Sequence, residues 1–197
     1  MKRIFLYITV MLCVLAGAAQ QQNWYQVGFK ISASFPTNRV YSVQNHYLSS
    51  LTAADFGAFF RAGKYVYGEV GFGYAFYKGD YTQRTPDGSN IFDPVRVELR
   101  HLQIPVKTVG NIPLTRSLSL LPFVGIIWQP VVKITNNDIG FDKNTIKTNP
   151  VLLTSGLDFK IGPIVLGVNY RYSLTRFFQN IDGKHPQYVN VCVGFQL

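Results

Sequence analysis

The last ten residues, Tyr188 to Leu197, read YVNVCVGFQL. Val189, Val191, Val193, Phe195 and Leu197 alternate with Tyr188, Asn190, Cys192, Gly194 and Gln196. A period of two puts one apolar and one small or polar face on a strand. A strand of this kind left as a free edge is an aggregation hazard. Pairing it with a strand near the other end of the chain, to close a barrel, removes the edge.

The same period recurs along the chain. Tyr25, Val27, Phe29, Ile31 and Ala33 alternate with Gln26, Gly28, Lys30, Ser32 and Ser34. Ala54 to Arg61, Val66 to Phe76, Leu153 to Ile161 and Ile164 to Leu174 repeat the pattern. A further strand begins at Val95, Val97 and Leu99, but the apolar parity then moves to Leu102, Ile104 and Val106. A slip of one residue is the signature of a β-bulge, expected near Arg100–His101. The stretch Leu118 to Ile134 is apolar on both parities and holds Pro122 and Pro130, so its facing stays open. With the C-terminal strand the total is eight.

The connections sort by length. Phe35 to Ser50, Lys78 to Pro94, Thr135 to Asn149 and Arg176 to Gln187 are long and polar. They alternate with shorter turns at Gly63-Lys64, Gly110 to Arg116 and Gly162-Pro163. An even number of strands, with short turns at one end and long loops at the other, is the pattern of a transmembrane β-barrel. The expected fold is all-β: an eight-stranded antiparallel up-and-down transmembrane β-barrel spanning residues 20–197, in the cell outer membrane. Ahead of it, Lys2 and Arg3, the apolar run Ile4 to Ala16 and the small residues Gly17 to Ala19 read as a secretory signal peptide, residues 1–19. Its removal leaves Cys192 as the one cysteine, so no disulfide forms within the mature chain.

Two features decide which face is inside. Gly28, Gly57, Gly71, Gly73, Gly156, Gly167 and Gly194 share the polar face, and the bore of an eight-stranded barrel holds little more than its own side chains. The other face is too rich in Phe, Tyr, Ile, Val and Leu to fit such a bore; facing lipid, it needs no packing. The inverted alternative is a soluble barrel with an apolar cavity.

Charge follows the same division. Nineteen basic and ten acidic residues give a formal charge of +9. The long loops are close to balance, so the excess is not a loop patch for nucleic acid. A lumen charge network is expected instead from Lys30, Asp55, Arg61, Glu69, Arg96, Glu98, Arg100, Asp158, Lys160 and Arg171, with Lys107 on the same face. Buried charges of both signs must pair. The network reads as a plug, with a narrow, weakly anion-preferring pore as the alternative.

Leu99-Arg100-His101-Leu102-Gln103-Ile104-Pro105-Val106-Lys107 resembles the aromatic-Leu-Glu-Ile-Pro-Leu strand of the PorT-like outer-membrane β-barrel family. Leu121-Pro122-Phe123-Val124-Gly125 resembles that family's Pro-Tyr-Leu-Gly segment, and Gly156-Leu157-Asp158-Phe159-Lys160 its Gly-Leu-Glu-Tyr strand. His101, Gln103 and the terminal Leu197 depart from the pattern. The resemblance implies an outer-membrane barrel and, through the family's named member, a link to protein secretion. It supplies no catalytic residue.

Chemistry of other kinds has little support. His46, His101 and His185 lack metal-ligand spacing, and no cofactor motif is present. His185, Ser173 and Asp182 near the ends of the last two strands could be cast as a lipid A hydrolase triad. Trp24, Tyr25, Tyr65 and Tyr67 are assigned to an interfacial aromatic girdle, and Trp128 to the opposite one. The resulting expectation is a non-enzymatic, monomeric barrel with outer-membrane lipid around it. Loop aromatics such as Tyr41, Tyr47, Tyr81, Phe141, Phe177 and Phe178 would meet other envelope or secretion proteins.

Overall fold

The computed structural model describes residues 24–38, 41–43, 46–48, 51–83, 85, 89, 95–135, 146–177 and 185–197. The expected signal peptide and most of the long loops lie outside these residues. The described strands are β1 (Tyr25–Pro36), β2 (Tyr41–Val43), β3 (His46–Leu48), β4 (Thr52–Gly63), β5 (Val66–Gln83) and β6 (Val95–Gly110), then β7 (Ile112–Pro113), β8 (Leu118–Trp128), β9 (Val131–Thr135), β10 (Val151–Ile161), β11 (Ile164–Ser173) and β12 (Gln187–Gln196).

Eight of them close a ring: β1, β4, β5, β6, β8, β10, β11 and β12, every neighbour antiparallel. The seam is the β1–β12 ladder, running from Gly28↔Gln196 to Pro36↔Tyr188. Leu197 N–H donates to the Val27 carbonyl at 2.8 Å, so the pairing continues to the last residue. The apolar C-terminal strand therefore has no free edge. The other four strands are accessory: β2 and β3 form a hairpin against the outer end of β5, β7 pairs with β8, and β9 continues β8.

Short connections and both ends of the barrel-forming segment gather at one end. Gly162 adopts a φ of 57°, a left-handed conformation that suits glycine, and with Pro163 it joins β10 to β11 in two residues. Long connections leave from the other end, the outer end in barrels of this kind.

The fifth strand of the sequence resolves into β8 and β9 around Gln129-Pro130. Its facing is settled: Leu121, Phe123 and Ile127 are buried, while Val124, Ile126 and Trp128 are exposed. Both pieces pair with β6 in one register until Val131; beyond it, Lys133 rather than Val132 stands opposite Arg100. The bulge lies at Arg100–His101 as expected, but the extra residue is Val132, in the facing strand.

β6 itself never changes face. Val97, Leu99, His101 and Gln103 are all buried, and Lys107 points the same way. The apparent slip in parity is a change in what each face is made of. This corrects three assignments: Arg96, Glu98 and Arg100 lie on the outward face. They belong to an outer segment whose outside meets water, so charge there incurs no lipid penalty, while its inside is apolar.

Tyr67 is corrected likewise. It is 1% exposed, inside the barrel, and its hydroxyl accepts hydrogen bonds from Gln26 at 3.2 Å and Asn111 at 3.1 Å. It shares the parity of Glu69, which turns it inward. Trp24, Tyr25 and Tyr65 are exposed at the turn end.

Candidate functional site

The bore is filled in layers. Nearest the short turns, Tyr67, Val109, Leu121 and Phe123 form a small apolar cluster. A charged layer follows. Arg61 donates from Nε to Glu69 Oε2 at 2.5 Å and from Nη1 to Gln196 Oε1 at 2.8 Å, and reaches Asp158 Oδ2 at 3.4 Å. Lys30 Nζ lies 2.5 Å from Asp158 Oδ2, and Lys107 Nζ 3.0 Å from Glu69 Oε1. The ammonium groups of Lys30 and Lys107 sit 5.7 and 4.8 Å from the centroid of the Phe123 ring, which adds a cation–π contact.

A second polar layer is built on Asp55. Arg171 Nη1 donates to Asp55 Oδ2 at 2.9 Å, and Ser32 donates its hydroxyl proton to the same carboxylate. Asn169 Nδ2 donates to Asn190 Oδ1 at 2.7 Å, and Asn190 Nδ2 to Ser34 Oγ at 2.8 Å. Every carboxylate in the two layers therefore has a cation. Leaving one buried partner of such a pair alone costs about 3–5 kcal/mol.

Of the ten residues expected in the lumen network, Lys30, Asp55, Arg61, Glu69, Asp158, Lys160 and Arg171 face the bore; Arg96, Glu98 and Arg100 do not. Lys107 belongs to the charged layer. Sequence reasoning assigned no role to Gln196, which accepts a hydrogen bond from Arg61 in the first layer, or to Asn169, Asn190 and Ser34, which are bonded within the second. Their shared parity was the available clue, since each lies two or four positions from a charged or glycine residue on the same face.

The glycines make room for this packing. A Cβ added to Gly167 would collide with the Asp158 carboxylate and stand 2.7 Å from Cys192 Sγ. A Cβ on Gly28 would meet the Phe59 ring at 2.5 Å.

Above the polar layers the bore turns apolar. Leu51, Ala53, Ala75, Tyr77, Val97, Leu99, Ile127, Ile146, Leu152 and Tyr188 form one buried cluster, with Ile134 and Phe177 packed on it. Two small voids interrupt the filling. One of about 60 Å³ lies beside Lys30, Glu69, Gln103, Lys107 and Arg171; the other, about 30 Å³, is lined by Tyr77, His101, Gln129, Ile146 and Phe177 among others. Each has room for one or a few waters.

The cast triad does not assemble around the serine hydroxyl. Ser173 Oγ donates to the Thr175 carbonyl at 2.7 Å, while His185 Nδ1 lies 2.9 Å from the Ser173 carbonyl oxygen. The His185 ring stacks on Tyr172. Asp182 lies outside the described residues. Among those described, no three His, Cys, Asp or Glu side chains are grouped closely enough to hold a metal ion.

The outer wall carries the opposite chemistry. Ile31, Phe56, Phe72, Val106, Val124, Leu166, Val168 and Val191 all point outward and are exposed; Phe72 is 60% accessible. A continuous apolar band around a closed barrel is a surface that lipid covers.

No protein-family model and no curated protein sequence matches the chain. Solved barrels do. OprG of Pseudomonas aeruginosa superimposes with a TM-score of 0.52 at 9% identity, over 90% of this chain and 97% of that one. Neisserial surface protein A gives 0.48 at 9% identity, over 89% and 97%. Ail of Yersinia pestis, solved in complex with the heparin analogue sucrose octasulfate, gives 0.47 at 10%, over 89% and 100%. The OprG likeness places the chain in the fold of integral outer-membrane barrels, in agreement with its lipid-facing wall.

Proposed function

We propose that this chain is a non-enzymatic, monomeric outer-membrane β-barrel with a plugged lumen. On this reading it acts as a scaffold, presenting loops at its outer end and turns at its inner end to other envelope proteins. The observation that carries the reading is the stacking of the bore: two paired polar layers and, above them, an apolar layer of buried side chains. An ion crossing it would have to break buried pairs and then enter an apolar region, and both steps are costly. A role in protein secretion is the finer proposal and rests on the resemblance to PorT-like barrels.

Planar-bilayer recording tests the plug. The folded barrel should show no steady conductance, and Arg61→Ala together with Leu99→Ala should open transient currents. Steady current from the unaltered protein would favour the pore reading, for which the excess of bore-facing cations (Lys30, Arg61, Lys107, Lys160 and Arg171 against Asp55, Glu69 and Asp158) is the supporting observation. Cross-linking in intact envelopes tests the scaffold role: a reproducible protein partner is expected, and a barrel always recovered alone would count against it.

A further inference from the structure

The residues that leave the lumen define a second feature. On the outward face of β5, β6 and β9, Lys78, Arg96, Arg100 and Lys133 stand with only Asp80 and Glu98 as carboxylates. Both carboxylates are engaged, Glu98 with Lys78 at 3.2 Å and Asp80 with Arg96 at 3.7 Å. Arg100 and Lys133 face each other across the β6–β9 ladder, and no described carboxylate pairs with either.

Arg100 is held in place: its guanidinium carbon lies 5.9 Å from the centre of the Phe76 ring. Its Nε is buried without a hydrogen-bond partner, and so is the Thr135 hydroxyl two residues beyond Lys133. The cluster begins where the apolar band stops, directly after Phe76 on β5, Leu102 on β6 and Val132 on β9. The arc is one-sided. On the other barrel strands the described outward residues toward the outer end are uncharged, among them Phe35, Leu153, Tyr170, Leu174 and Val189.

We propose that this arc binds the phosphate group of an anionic lipid headgroup in the outer leaflet. A guanidinium held against an aromatic ring and an ammonium directly opposite it, neither paired with a described carboxylate, match the several acceptor oxygens of a phosphate. Their place at the upper edge of the lipid-facing band is where a headgroup lies. The proposal rests on the membrane-spanning reading.

The test uses the refolded chain in vesicles of phosphatidylcholine, with or without phosphatidic acid, followed by native mass spectrometry of the extracted barrel. Folded protein should retain phosphatidic acid in preference to phosphatidylcholine, and added inorganic phosphate should not displace it. Arg100→Gln with Lys133→Gln should weaken that retention about thirtyfold, since each of the two basic groups near an anionic surface contributes on the order of 1 kcal/mol. Arg100→Lys should keep most of it, and Lys64→Gln with Arg116→Gln, at the turn end, should leave it intact. A heat-modifiable gel shift verifies that every variant folds. Equal retention of both lipids, displacement by inorganic phosphate, or the same loss in the turn-end variant would overturn the proposal while leaving the barrel reading in place. Failure of the unaltered protein to insert into vesicles would overturn both.

Discussion

In its inner half, β6 turns Gln103 and Lys107 into the bore and Leu102, Ile104 and Val106 outward; in its outer half it turns Val97 and Leu99 inward and Arg96, Glu98 and Arg100 outward. Backbone geometry is the same in both halves, and the faces do not swap. What changes is the solvent. Where lipid bathes the wall, apolar residues belong outside and the charges must pair within. Where β5, β6 and β9 rise past the lipid, water takes that part of the wall, and the bore beside it can be packed like an ordinary apolar core. The same alternation thus carries opposite polarity at the two ends.

The largest expected effect lies in the inner half. Asp55, unlike Glu69 and Asp158, has a single cation beside it, so Arg171→Met leaves a buried carboxylate unpaired and should cost about 3–5 kcal/mol. Urea titration of the barrel in vesicles, followed by gel mobility, measures it. A loss below about 1 kcal/mol would mean that water reaches this carboxylate and that the layer is not sealed. In the outer half the corresponding change is Leu99→Ala, which empties part of an apolar cluster and should cost about 2–5 kcal/mol. If Leu99→Asn were tolerated as well as Leu99→Ala, the outer bore would be wet and the contrast between the halves would fail.

Much of this was legible in the sequence. Period two located the barrel strands, the glycine-rich face identified the bore, and Lys30, Asp55, Arg61, Glu69, Asp158, Lys160 and Arg171 fell on the bore side as their parity requires. Arg96, Glu98 and Arg100 did not, because polarity is not a fixed marker of facing along the whole strand. The rule holds only inside the lipid. Pro122 and Pro130 obscured the fifth strand for a different reason. Pro122 stands just past the Val109↔Phe123 end of the β6–β8 ladder, opposite Leu157 in the β8–β10 ladder, and Pro130 stands at the break between β8 and β9. The Arg100–Lys133 juxtaposition was beyond reach, since it depends on one extra residue, Val132, in a strand whose register the sequence does not state.

A pair of outward substitutions sharpens the contrast on the wall itself. Phe72→Lys puts an ammonium into the middle of the lipid-facing band and should cost about 2–4 kcal/mol. Arg96→Leu should fall within about 0.5 kcal/mol of the parent, because the side chain is 66% accessible and its 3.7 Å contact with Asp80 is a solvent-screened surface pair. The two positions lie on outward faces of adjacent strands, so the difference between them reports the solvent and not the backbone. Unfolding of both variants in the same vesicles gives that difference directly. Were Phe72→Lys as mild as Arg96→Leu, water rather than lipid would bathe Phe72, and the inversion along β6 would need another cause.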